Sequence, residues 1–446
     1  MSYITTNRFR FERVKNLLIE FQLGIFLSLC LILGGTSQDI LQPKLFIYIA
    51  SIIVIAANLL RSNRFSNWKV FFFPILGLTI ILLACFLQLI PLPPDLWSDI
   101  PGRSGVAEGF DKLGVNKPWL PLSLTPEITK FSLLDFLPPI AIMVIFANGV
   151  NQATVINTVK CILSVAVISI LLGLLQLSAV HQSLYFYEVT NDKSLVGFFS
   201  NRNHLATLLL VSLPFAVSLA YRETKLNKVG LPLALPLALV LGVILVGSLF
   251  GYVVIIPLII SSIFLCTAQK PIKNAPIYIF SALVLILIAI DTFFLNNYLL
   301  GLSKNLTTLT LDQRIGFTSN TYKAALDYFP FGAGLGSFED VYRQYSHVGP
   351  RFVNHAHNDF IETLLEFGLF GAVFLIFFTL YLIKMAFDVA RNGTQVSSFA
   401  WPSLLGIGLI FLHSLVDYPL RTIGISTLFT FCICLVHHGL VGQNKA

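Results

Sequence analysis

The feature that most constrains this chain is its set of long apolar blocks with no charged residue inside, such as Val229–Phe250 and Ala275–Ala289. Lipid accepts such blocks because a helix satisfies its own backbone hydrogen bonds, and a block of some twenty residues reaches across the hydrocarbon. Composition agrees. Hydrophobic residues make up 56% of the chain, charged residues 11%, and mean hydropathy is +0.80, whereas a soluble domain carries about 25% charged residues. The sequence therefore predicts an all-α polytopic membrane protein, a single integral membrane domain over residues 1–446 with about twelve transmembrane helices.

Spans are expected at approximately 17–35, 42–60, 70–90, 132–148, 157–178, 204–221, 229–247, 249–267, 275–294, 361–383, 401–415 and 422–438. The run 229–267 needs a tight turn near Gly247–Gly251 to make two helices, and 401–415 is short for a span. The start of the chain is polar and basic (Arg8, Arg10, Arg13, Lys15), and no small-x-small cleavage site follows before Gly34–Gly35. The first apolar run thus reads as a membrane span, not a removable leader.

Orientation follows from charge. Arg61, Arg64 and Lys69, then Arg222, Lys225 and Lys228, then Lys270 and Lys273, then Lys384 and Arg391 fall in alternate loops. That positive-inside pattern predicts both termini in the cytoplasm. Three segments then lie outside: 91–131, 179–203 and 295–360, the last a large loop between the ninth and tenth helices. Trp97 and Trp119 mark 91–131 as an interfacial segment near the headgroups. The +7 net charge does not indicate nucleic acid, because the basic residues are scattered through short loops and no binding module surrounds them. The six cysteines fall in or beside apolar segments without metal-site or redox spacing, which predicts packing roles.

The densest polar cluster spans the end of the long loop and the next helix. Two glycine-rich and His-rich motifs compose it: Phe329-Pro-Phe-Gly-Ala-Gly334-Leu-Gly336-Ser-Phe338, then Asn354-His355-Ala-His357-Asn358-Asp359, with Glu362 and Glu366 following. Ionisable groups at a membrane edge are costly unless they pair or face a cavity. Imidazole suits proton transfer near neutral pH, so His355 and His357 are candidate bases. A His-x-His pair can also hold zinc, but His347, the nearest third ligand, has no standard spacing. Asp359 with Glu362 three residues on fits a capping box as well as a site, and Glu362 and Glu366 fit packing partners as well as chemistry. Gly332, Gly334 and Gly336 shape a turn and form no nucleotide loop, since no GK[ST] follows. Arg314, Arg202 and Arg421 are placed to neutralise a diphosphate through bidentate bonds. Headgroup anchoring or a carboxylate partner, such as Asp417 for Arg421, is the alternative for each.

In order and spacing these motifs resemble the O-antigen ligase/polymerase superfamily, membrane enzymes that handle undecaprenyl-diphosphate-linked glycans. The resemblance runs from about Pro121 onward. It is carried by Phe329–Phe338, His355–Asp359 and Glu366-Phe-Gly-Leu-Phe-Gly371, with weaker echoes in Pro121-Leu-Ser-Leu-Thr125, Gly197–Asn203, Arg314 and His413-Ser-Leu-Val-Asp-Tyr-Pro419. It implies a catalytic loop at 295–360 on the periplasmic face of the bacterial inner membrane, with His355 or His357 as base and Arg314 as an essential loop arginine. Arg202, Arg314 and Arg421 would hold the donor diphosphate. Asn358, Asp359, Glu362, Gly334, Gly336 and Asp417 would support them. The implied reaction is metal-independent, needs no cofactor and inverts the transferred sugar, moving a glycan to an acceptor glycan or lipid A-core among membrane lipids. One departure stands out: members often carry a Ser-Arg pair at the outer end of a middle helix, and here Gly247-Ser-Leu-Phe-Gly251 has Leu249 at the Arg position. Ligase, polymerase and protein-glycosylating branches share the frame. A lipid-linked oligosaccharide flippase, a divergent inactive relative and a structural membrane subunit are the competing classes.

Overall fold

The computed structural model describes residues 20–38, 41–61, 68–178, 184–225, 231–267, 311–346, 353–392 and 399–441. The chain enters with α1 (Glu20–Leu33) and α2 (Leu41–Arg61), then a 3-10 turn (Trp68–Phe71) that leads into α3 (Phe72–Gln88). An excursion follows, made of strand β1 (Pro91–Leu92), the short α4 (Pro94–Trp97), α5 (Ser104–Leu113) and strand β2 (Leu120–Pro121), which pairs antiparallel with β1. Next come α6 (Pro126–Ser132), a 3-10 turn and α7 (Leu137–Ala147), then α8 (Gln152–Leu177), α9 (Arg202–Lys225), α10 (Leu231–Val246) and α11 (Leu249–Thr267). The described part of the long loop holds α12 (Leu311–Asp327) and α13 (Phe338–Tyr345). The chain then finishes with α14 (Asp359–Asn392), α15 (Ala400–His413) and α16 (Ile423–Val441).

Among the described residues six helical stretches are long and apolar enough to cross a membrane: Gln42–Arg61, Pro126–Ala147, Gln152–Leu177, Arg202–Glu223, Asp359–Asn392 and Ile423–Leu440. Shorter apolar helices accompany them, including α1, α3, α11 and α15. The lipid-facing surfaces can be read directly. On α14 the exposed Leu369, Val373, Ile376, Leu380, Ile383 and Phe387 recur every three or four residues, one continuous stripe along the helix. A stripe of that size is not tolerated in water but is the normal outer face of a membrane helix. Opposite in character, α9 has an almost wholly buried wall from Asn203 to Phe215 and packs on α10, α11 and α15. Many hydroxyls within these helices bond the carbonyl four residues back, as Ser51 does to Ile47, Thr158 to Thr154 and Thr427 to Ile423, whereas Ser169 and Ser212 are buried without a hydrogen-bond partner among the described residues.

Several expectations meet the structure here. The apolar run 229–267 does break in two, at Gly247, whose φ of +70° a side chain would oppose. The span expected at 132–148 reaches back to Pro126 and takes the end of the 91–131 segment with it. Its Thr129 is buried and donates to the Leu335 carbonyl, which ties this turn to the glycine loop. Trp97 is not a headgroup anchor. It is fully buried, its indole N–H donates to the Pro118 carbonyl, and its ring meets Phe110 edge-on, so it is the core of the excursion while Trp119 stays exposed. The helix expected at 361–383 starts at Asp359, ends at Asn392 and is kinked at Gly368. The expected span 275–294, the first part of the 295–360 loop, Lys270, Lys273 and His347 lie outside the described residues.

Candidate active site

The glycine motif is explained by what it docks onto. At the kink, Gly368 adopts φ 56° and ψ −133°, and a Cβ there would sit 2.1 Å from the Pro330 carbonyl oxygen. The opened carbonyls of α14 are then used by the loop: Ala333 N donates to Leu365 O (2.8 Å) and Gly334 N to Glu366 O (3.0 Å), while Leu369 N donates to Pro330 O (2.8 Å). Gly334 lies against Ser123, so close that a Cβ would fall 2.4 Å from its hydroxyl. Ser123 belongs to the Pro121–Thr125 echo, and Leu124 N donates to the Ala333 carbonyl. Gln88, at the end of α3, closes the joint by donating to Glu366 O and accepting from Leu335 N. These weakly polar motifs form a rigid collar around the start of α14.

Inside that collar Arg421 is the centre of an ion cluster. Its Nη1 donates to both Glu366 oxygens (2.9 and 2.8 Å), and lies 3.5 Å from Glu362 Oε1, while Nε is 3.5 Å from Asp359 Oδ1. All three carboxylates are buried. They outweigh the cost of burying the guanidinium and hold it firmly protonated. Each carboxylate has further donors: Gly336 N for Glu366, Ala356 N for Glu362, and Ser414 Oγ with Leu420 N for Asp359. Arg421, expected to face a diphosphate, is therefore taken up by the protein itself. The helix cap also differs from expectation. Asn358, not Asp359, caps α14, accepting from Phe360 N and Ile361 N, because Asp359 is drawn inward to Arg421 and Ser414.

Two imidazole–carboxylate pairs stand beside this cluster. His355 Nδ1 is 2.8 Å from Glu362 Oε1, and its Nε2 is buried without a partner. His357 Nδ1 is 3.2 Å from Asp417 Oδ1, and His357 has a positive φ of 54°, a strained conformation for a side chain with a Cβ. Burial pushes the His357 imidazole below its ordinary value, with Asp417 opposing. Asp417 is fully buried, which would raise its pKa, yet His357, Arg314 and His413 together hold it well below the carboxylate range. Asn203 also donates to Asp417 (2.6 Å), and Arg314 lies 3.7 Å from it while donating to the Val416 carbonyl. Arg314 in turn is an electrostatic neighbour of Arg202, at the mouth of α9.

Sequence reasoning missed the residue between the two pairs. The Tyr418 ring touches His355, His357 and His204 at centroid distances of 4.5, 4.9 and 4.9 Å, and its hydroxyl accepts from Asn201. Its signal was present in the Asp417-Tyr-Pro echo, as that of Asn203 was in Asn201-Arg-Asn, but an aromatic in an aromatic-rich chain does not stand out. His413 was also missed. It stacks flat on Phe250 at 4.2 Å and shares a hydrogen bond with Thr207. Where family members often carry Ser-Arg, Ser248 is buried and Leu249 opens α11. Among the described residues no group of three His, Cys, Asp or Glu is arranged to hold a metal ion.

A cavity of about 620 Å³ reaches this polar end from the apolar side. Phe73, Leu78, Ile81, Phe374 and Phe378 line its length. At its polar end stand His355, Arg421 and Lys44 with Asp135, Glu339, Asp359, Glu362 and Glu366. His357, Arg314 and Arg202 lie outside its lining, so the two candidate histidines are divided: His355 on the cavity side, His357 with the two arginines behind Tyr418.

Residues 233–376 match the family model described as O-antigen ligase. Over this stretch, less than half of the chain, the sequence is similar to the O-antigen ligase family. The matched stretch contains most of α10, all of α11, Arg314, the glycine loop, both candidate histidines, Glu362 and Glu366. It leaves out Arg202, Asp417, Tyr418 and Arg421, and it is shorter than the resemblance read from the motifs. No curated protein matches the chain. That similarity and the apolar helices support a membrane-embedded protein of the O-antigen ligase/polymerase type, a family that implies a lipid-linked glycan and an acceptor as substrates in general.

Proposed function

We propose that the chain transfers a glycan from an undecaprenyl-diphosphate-linked donor to a sugar hydroxyl at the periplasmic face of the inner membrane, with inversion and without a metal. The observation that carries this reading is the His355–Glu362 pair at a cavity wall, with Arg314 and Arg202 gathered a few side chains away. Glu362 can only accept, so it fixes the His355 tautomer with the proton on Nδ1 and leaves Nε2 as the free lone pair. The acceptor hydroxyl gives its proton to that nitrogen as its oxygen bonds the anomeric carbon. The bond from that carbon to the diphosphate oxygen breaks, and its electron pair departs with undecaprenyl diphosphate. Arg314 and Arg202 stabilise the charge gathering on the leaving group, and no general acid is needed for so good a leaving group. Arg421 keeps three carboxylates folded around the base and does not bind the donor.

A second reading makes His357 the base. Its strained backbone, its ionised Asp417 and its proximity to Arg314 favour that. Purified protein reconstituted with donor and candidate acceptors separates the two. Our reading expects transfer to vanish in Arg314→Ala and His355→Ala, with folding intact, and to survive at a reduced rate in His357→Ala. Loss only in His357→Ala would move the base to that residue. Full activity in all three variants would defeat the assignment.

A further inference from the structure

We propose that the cavity is the acceptor subsite and that it takes a glycolipid whose headgroup is uncharged, not a second diphosphate-linked chain. This deepens the transfer reading and rests on it for the word acceptor. The argument is electrostatic. Lys44 is paired with Asp135, and Arg343 is shared by Glu339 and Asp340, so neither cation adds net positive charge to the polar end. What remains is Asp359, Glu362 and Glu366 around the single Arg421, and every one of these carboxylates is buried. A diphosphate brought to this end would meet like charge at low dielectric with Arg421, the guanidinium in the cavity lining, already engaged. Sugar hydroxyls, by contrast, donate to carboxylates and to the unpartnered Nε2 of His355. The phenylalanine-lined length of the cavity fits an alkyl chain. The cationic pair Arg202 and Arg314 lies outside the cavity, where a diphosphate would be welcome. Donor and acceptor thus reach the histidines from opposite sides of Tyr418, sorted by headgroup charge.

The test uses two photoreactive probes with the same dodecyl chain, one ending in a neutral maltoside and one in a diphosphate, cross-linked to the intact protein and mapped by mass spectrometry. The maltoside should label 73–81 and 370–378 and be displaced by unlabelled dodecyl maltoside, whereas the diphosphate probe should label them at least about tenfold less. Gly77→Leu projects a side chain into the cavity, since only Phe374 lies within reach of a Cβ there, and should cut maltoside labelling about tenfold. Equal or stronger labelling of the cavity by the diphosphate probe overturns the proposal, as does maltoside labelling that is not displaced. Should Gly77→Leu fail to fold, the comparison of the two probes on the unaltered protein decides alone. Labelling requires no turnover, so a protein that transfers nothing would sink the transfer reading and leave the cavity result standing. A protein that transfers but binds diphosphate in the cavity would do the reverse.

Discussion

Arg421→Ala should cost stability before it costs anything else. The guanidinium touches three buried carboxylates at 2.8–3.5 Å, and removing one partner of a buried ion pair costs about 3–5 kcal/mol. The losses are unequal. Asp359 keeps Ser414 and Leu420 N, and Glu362 keeps His355 and Ala356 N, but Glu366 keeps only Gly336 N among its side-chain donors. Most of the penalty therefore falls on Glu366, and Glu366→Gln in the Arg421→Ala background should recover about 1–3 kcal/mol, the cost of one unsatisfied buried polar group. Glu366→Gln alone, which leaves Arg421 with Asp359 and Glu362, should be milder than Arg421→Ala. Equilibrium unfolding of the purified protein in mixed micelles reads all four corners of this cycle. An Arg421→Ala protein of unchanged stability, with a raised KM for the lipid-linked donor, would refute the reasoning and return Arg421 to diphosphate binding.

Other outcomes follow from the same geometry. Gly368→Ala should lower stability by at least about 1–3 kcal/mol from backbone strain alone, because its φ is positive and the Pro330 carbonyl occupies the Cβ position; unaltered unfolding would show the kink to be soft. The pKa of His357 is lower in the folded protein than in the unfolded chain, so the unfolded chain binds more protons once pH falls below about 6.5. Its contribution to stability is complete above that value and is lost on acidification. Melting curves from pH 7 to pH 5 should therefore fall less steeply in His357→Gln than in the unaltered protein, and parallel curves would contradict this. Glu362→Gln should slow transfer by about 10²–10⁴ with little change in KM for the donor, since it leaves His355 without its tautomer-fixing partner; a change confined to donor KM would place Glu362 elsewhere in the mechanism.

How much was legible beforehand depended on the range of the interaction. Apolar blocks and the break at Gly247 are local properties, and residue type alone exposes them. The motifs were visible as motifs, but their physical work was not. Gly334 is required because Ser123 lies against it, and Gly368 because Pro330 does, contacts that span long stretches of chain. Asp359 looked like a helix cap because Asp and Asn cap equally well, and only the distant Arg421 and Ser414 decide that Asn358 does so. Arg421 itself shows the limit most clearly. A guanidinium at a membrane edge reads the same whether it awaits a phosphate or is already surrounded by carboxylates. Gln88 was a missed signal: a lone amide at the end of an apolar helix has to satisfy two hydrogen-bonding ends, and here both go to the glycine collar.

The most direct test of the central claim is the single-turnover rate of glycan transfer by His355→Gln at saturating donor and acceptor in reconstituted membranes. Loss of the proton acceptor at the cavity wall predicts a rate about 10²–10⁴ below that of the unaltered protein with both substrates still bound. A chemical step within about threefold of the unaltered rate would mean that the hydroxyl is activated by some other group.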